Sequence, residues 1–198
     1  WKYYYYSYTK MKYFLLLLIS TSVYATDNIY IDQIGDNNTF TITQQDGPHY
    51  ASVIIGKTSA SDNNNITIEQ KDPGTKNASV ELTSGINNTI GILQQGIGNH
   101  TASILNLSGS SNGISINQSG AGSHSFALQG GTGTTNSGNT ISATQSGGIG
   151  AEKSFSLTLN GTSGATVDVT QTSNTSNTGS MTIQCLSGSC GSYSYIRQ

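Results

Sequence analysis

The chain has 198 residues, only 9% of them charged, with 24 glycines, two prolines and a net charge of −2. Beyond residue 25, ten acids stand against five bases, Lys57, Lys71, Lys76, Lys153 and Arg197. That balance has the wrong sign for binding nucleic acid or an anionic membrane surface.

Residues 1–10 precede Met11 and read as upstream translated sequence or an expression scar. Met11-Lys12, the apolar run to Ile19 and the exit Val23-Tyr24-Ala25 have the order of a secretory signal peptide. The run is too short to anchor in a bilayer. Cleavage is expected after Ala25, with export through the periplasm. A first strand is predicted over Ile29 to Gln33. One phrase then recurs, Asn-x-apolar-x-apolar-x-Gln, at Asn38–Gln44, Asn64–Gln70, Asn88–Gln94, Asn112–Gln118 and Asn139–Gln145. A sixth copy ends at Gln171 without its asparagine, and successive glutamines lie 26, 24, 24, 27 and 26 residues apart. Such a period is the mark of a solenoid. Alternation within the phrase is that of a strand.

A second phrase lies between the first, serine followed by alternating apolar residues: Ser52, Ser79, Ser103, Ser125, Ser154 and Ser180 open its copies. The segments between are rich in Gly, Asn, Asp, Ser and Thr, and both prolines fall there. The prediction is an all-β solenoid over residues 26–184, with about six to seven rungs of strand-turn-strand and 13 strands in total. Phe126 and Leu128 should point inward, since a slip of one residue would expose the whole serine-strand set. Buried amides are costly alone, but stacked in register they bond along the axis. Gln33, Gln44, Gln70, Gln94, Gln118, Gln145 and Gln171 are expected to form one ladder. Asn38, Asn64, Asn88, Asn112 and Asn139 are expected to form another.

Eleven of the 15 charges after residue 25 fall between Asp27 and Glu81, and none between Leu82 and Ala151. A secreted, uncharged, proline-free stretch of strand sequence is prone to cross-β association. Gln33-Ile-Gly35-Asp-Asn-Asn38-Thr-Phe40-Thr-Ile-Thr-Gln44 resembles the curlin repeat, as in part do Gln94-Gln-Gly96-Ile-Gly-Asn99 and Gln118-Ser-Gly120. The resemblance implies a secreted subunit that polymerises end to end into extracellular, amyloid-like fibres for biofilm matrix and adhesion. It also implies an outer-membrane secretion pore and a nucleator as partners. Repeats of 24 to 27 residues are longer than the family pattern, and the cysteines are foreign to it.

Cys185 and Cys190 are the only cysteines, and behind a leader an even count favours a disulfide. Their loop is expected to end the solenoid, leaving residues 185–198 as loop and tail, either cap or further strand. His49, His100 and His124 each precede a serine strand and are expected on the surface. No acid pair has catalytic spacing, so the chain reads as a non-enzyme without cofactor or metal. The alternative is a non-polymerising solenoid adhesin or ligand binder, with ice binding least favoured because Glu69, Leu93, Asn117 and Asp168 interrupt the threonine face.

Overall fold

The structure, a computed structural model, describes residues 17–21, 27–131, 133–185 and 189–198. These form two parallel sheets and no helix. One sheet runs β1 (Leu17–Thr21), β3 (Thr39–Gln44), β5 (Asn65–Gln70), β7 (Thr89–Gln95), β9 (Gly113–Gly120), β11 (Thr140–Gly147), β13 (Thr166–Gln171) and β15 (Ser192–Arg197). The other runs β2 (Asn28–Gln33), β4 (His49–Ile55), β6 (Lys76–Ser84), β8 (His100–Ser108), β10 (His124–Gly130), β12 (Lys153–Asn160) and β14 (Asn177–Gln184). Each strand crosses to the opposite sheet, so the chain is a β-solenoid of seven rungs, from β2/β3 to β14/β15.

Alternation fixes what lies between the sheets. Phe40, Ile42, Ile66, Ile68, Ile90, Ile92, Ile114, Ile116, Ile141, Ala143, Val167 and Val169 are buried from the glutamine strands. Val53, Ile55, Val80, Leu82, Ile104, Phe126, Leu128, Phe155 and Leu157 meet them from the serine strands in one core cluster. Side-chain size is balanced across the core. Ala51, Ala78 and Ala102 share rungs with isoleucines, whereas the rungs of Phe126 and Phe155 carry Ala143, Val167 and Val169. Such interdigitation is what keeps an interior at crystal-like density.

The inward facing of Phe126 and Leu128 is as expected, but their register is not that of the serine phrase. Ser125 pairs with Thr101, and Leu128, not Phe126, stacks on Ile104. The offset is two residues, which keeps each side chain on its face. A compensated bulge lies between β6 and β8, where Val80 faces Ile104 but Leu82 faces Leu107. Asn106 supplies the left-handed backbone there, at φ 54°.

Tight turns let the rungs stack. Gly85 has φ 137°, and a Cβ on it would lie 1.9 Å from the carbonyl oxygen of Gly109. Gly109 repeats the arrangement one rung on, at φ 122° and 2.0 Å from the Asn136 carbonyl. Only glycine fits both the dihedral and the approach.

Two expectations about the ends change. Cys185 and Cys190 are joined, yet their loop does not end the solenoid. The chain returns as β15, whose Tyr193 and Tyr195 pack on the core beside Val167 and Val169 in the register. Gly179 makes room: the Tyr195 ring lies 4.8 Å from that of Phe155, where any side chain at 179 would collide with it. At the other end, most of the expected leader, residues 11–25, lies outside the described residues. Its segment Leu17–Thr21 is strand β1, paired in parallel with β3 from Leu17↔Phe40 to Thr21↔Gln44. An extended apolar segment satisfies the strand edge that β3 would otherwise leave open.

Candidate functional site

Three inner columns of polar side chains run along the axis, and they are built from repeats that bring one residue per rung to the same place. The first is the glutamine column. Gln44, Gln70, Gln94, Gln118, Gln145 and Gln171 are all buried. Each Nε2 donates to the next Oε1, at 2.8, 2.9, 2.8, 2.8 and 2.7 Å. From Gln70 onward the second N–H crosses to a carbonyl of the opposite sheet, at Tyr50, Asn77, Thr101, Ser125 and Ser154. One amide therefore joins rung to rung and sheet to sheet.

Gln33 does not belong to this ladder. It ends β2, in the other sheet, opposite Ile55, and its amide donates to the Gly35 carbonyl at 3.3 Å. Alternation between sheets is the reason: the first strand stacks on the serine series, so its terminal glutamine meets an apolar column.

The asparagine column lies at the opposite corner. Nδ2 of Asn64, Asn88, Asn112 and Asn139 donates to Oδ1 of the asparagine before it, at 2.9 to 3.0 Å. The same Oδ1 also accepts the backbone N–H of that next asparagine. Where the asparagine gives way to Ala165, only the backbone donor remains, at 2.9 Å to Asn139 Oδ1. The glutamine bonds point toward the C-terminal rungs and the asparagine bonds toward the N-terminal ones, so the two rows of dipoles oppose each other.

The third column was not anticipated. His49, Lys76, His100, His124 and Lys153 occupy one inward position on β4, β6, β8, β10 and β12, each at most 2% exposed. The histidines are thus interior, not on the surface. Each Nε2 lies 2.8 to 2.9 Å from a backbone carbonyl, of Gln45, Gln95 or Ser119. The rings of His100 and His124 are stacked, with centroids 4.9 Å apart. Lys76 Nζ donates to the carbonyls of Pro73, Gly74, Gly96 and Gly98, and Lys153 Nζ to those of Ser173 and Thr175. Burial pushes Lys76 down to about 8, against the pull of Asp72, and lowers Lys153 as well. A signal was present: His100-Thr-Ala-Ser, Lys76-Asn-Ala-Ser, His124-Ser-Phe-Ala and Lys153-Ser-Phe-Ser align when the register is counted from the strand start.

The outer faces carry short polar side chains such as Thr67 and Ser142 on one sheet and Thr101 and Ser125 on the other, with Tyr30, Tyr50 and Leu105 exposed among them. Among the described residues no group of three or more His, Cys, Asp or Glu is placed to hold a metal ion. No protein-family model matches this chain, and no curated protein or solved structure matches it.

Proposed function

We propose that the chain is a secreted structural subunit that stacks end to end into a cross-β fibre, the function that its curlin-like phrase implies. The observation that carries the reading is the complementarity of its ends. The described strands run from β2 on the serine sheet to β15 on the glutamine sheet, and β2 to β15 make seven whole rungs. A second copy continues both sheets without a change of phase: β2 follows β14, and β3 follows β15.

Extending the columns sets that register. Asn177 stacks on Asp27, Met181 on Ile31, Tyr193 on Phe40 and Tyr195 on Ile42. Ile29, Ile31, Met181, Tyr193 and Tyr195 are only partly buried in the single chain, and stacking covers them from both sides. Arg197 occupies the glutamine column beyond Gln171, and Gln44 Oε1, at the other end, has no partner among the described residues. Stacking places a guanidinium donor over a buried orphan acceptor, a contact favoured by charge. Strand β1 holds the edge of β3 in this chain, so removal of the leader is a precondition.

Thioflavin T fluorescence and fibre diffraction on residues 26–198 test the reading. Fibres with the 4.7–4.8 Å strand spacing are expected, and Arg197→Ala should slow elongation. Protein that remains monomeric for days at high concentration would overturn it.

A further inference from the structure

The third column is chemically unlike the two amide ladders, because it buries imidazole and ammonium groups in place of amides. Its order along the axis is Asp27, His49, Lys76, His100, His124, Lys153 and Asn177. A backbone carbonyl only accepts, so the Nε2 of each histidine carries the proton and Nδ1 is bare. The three Nδ1 atoms are buried, without a hydrogen-bond partner among the described residues. Protonating that of His100 would create a donor with no acceptor in place and a cation beside Lys76; at His124 the Ser123 backbone and Glu152 offset only part of the cost of burial.

The neighbours make the central pair the sensitive point. His100 faces Lys76 from β6 and His124 from β10. His124 faces His100 from β8 and Lys153 from β12, and Glu152 beside Lys153 is the one carboxylate near it. Asp72 acts on Lys76 from the β5–β6 turn, and Asp27 accepts the backbone N–H of His49. No carboxylate among the described residues is hydrogen-bonded to any of these rings or ammonium groups.

We propose that this corner is a proton-operated latch: uncharged His100 and His124 let the central rungs stack, and their protonation, between two buried lysines, drives those rungs apart. Burial, more than any neighbour, moves both groups: it pushes His100 down to about 4, with the Gln95 carbonyl opposing and His124 and Lys76 adding. His124 is lowered by burial too, with Lys153 adding and the Ser119 and Ser123 backbones and the Glu152 carboxylate opposing. Both folded-state values lie below the ordinary histidine value near 6.5. The opened chain therefore binds more protons as pH falls through that value. The stability that depends on His100 is full at neutral pH, falls as pH drops from about 6.5 to about 4, and levels off below; that which depends on His124 falls in the same direction. Each coupled histidine should raise the opening equilibrium by up to roughly tenfold per pH unit in that window. The latch belongs to the single chain and does not depend on assembly.

Solid-state NMR of the full chain with 15N-labelled imidazole reads the protonation state directly, in monomer or assembly. The expected result is that His100 stays neutral well below pH 6, that His124 charges below the ordinary histidine value, and that hydrogen-exchange protection in β7–β12 is lost when they charge. His100→Gln with His124→Gln should flatten the loss between pH 6.5 and 4.5. Histidines that titrate near 6.5 with protection intact would overturn the latch, and so would an equal acid loss in the double variant. Should that variant not fold, the wild-type titration alone decides.

Discussion

At the residue scale, the glutamine column turns on how many partners one amide serves. Gln94 accepts from Gln70, donates to Gln118 and donates across the core to Asn77. Gln94→Leu keeps the volume and orphans a donor above and an acceptor below. Each such buried group costs about 1–3 kcal/mol, so the variant should lose roughly 2–5 kcal/mol by urea unfolding. Thr67 stands one rung back on the outward face, and Thr67→Ala should stay within about 0.5 kcal/mol. Equal losses at the two positions would show that the ladder contributes nothing specific. The glutamine and asparagine positions were legible because their spacing and facing repeat with the phrase. Lys76 and Lys153 were not, since a lysine is ordinarily a solvated side chain. Four carbonyls make burial of Lys76 tolerable, those of Pro73 and Gly74 in its own turn and those of Gly96 and Gly98 in the turn one rung on. The second pair is distant in sequence, so the complete cage exists only once the turns stack.

At the element scale, alternation told which side each strand turns inward, but it did not fix register. Aligning the serines put Phe126 level with Val53, whereas the structure puts Leu128 there, through Ile104 and Val80. A two-residue shift leaves the apolar pattern unchanged, so no hydrophobic argument detects it. The last strand shows a different limit. Ser192–Arg197 lacks the asparagine and the glutamine; it pairs with β13 along all six residues, and Tyr193 and Tyr195 are the side chains it packs on the core. Its link to β14 is the Cys185–Cys190 loop, which shortens the search of β15 for its edge. Reduction should loosen β15 and leave the inner rungs protected, because stability in a repeat array is mostly a nearest-neighbour sum. A loop of this size is worth roughly 2 kcal/mol in the chain-entropy account. Hydrogen exchange on oxidised and reduced chain checks this: protection lost in β5–β11 as well would mean that the bridge holds the whole coil.

At the scale of the whole molecule, the two ends are not equivalent. Among the described residues, the C-terminal end presents β14 and β15 together, neither paired on its outer edge. At the N-terminal end no described strand pairs with the outer edge of β2, but β3 is covered by β1 in the register that a second copy would need. The covering strand, β1, comes from the segment that the sequence marks as a leader. A chain that keeps it should therefore accept a new copy poorly at the N-terminal end, where only half of the rung is free. The C-terminal end is the same in both forms, so leader-bearing chain should still dock onto the N-terminal face of a trimmed fibre and then stop growth at that end. Seeded thioflavin T assays measure this. Residues 26–198 are expected to elongate trimmed seeds, and residues 11–198 to cap them at substoichiometric amounts. Elongation at equal rates by both would mean that β1 does not guard the β3 edge, and inertness of both would remove end-to-end stacking itself.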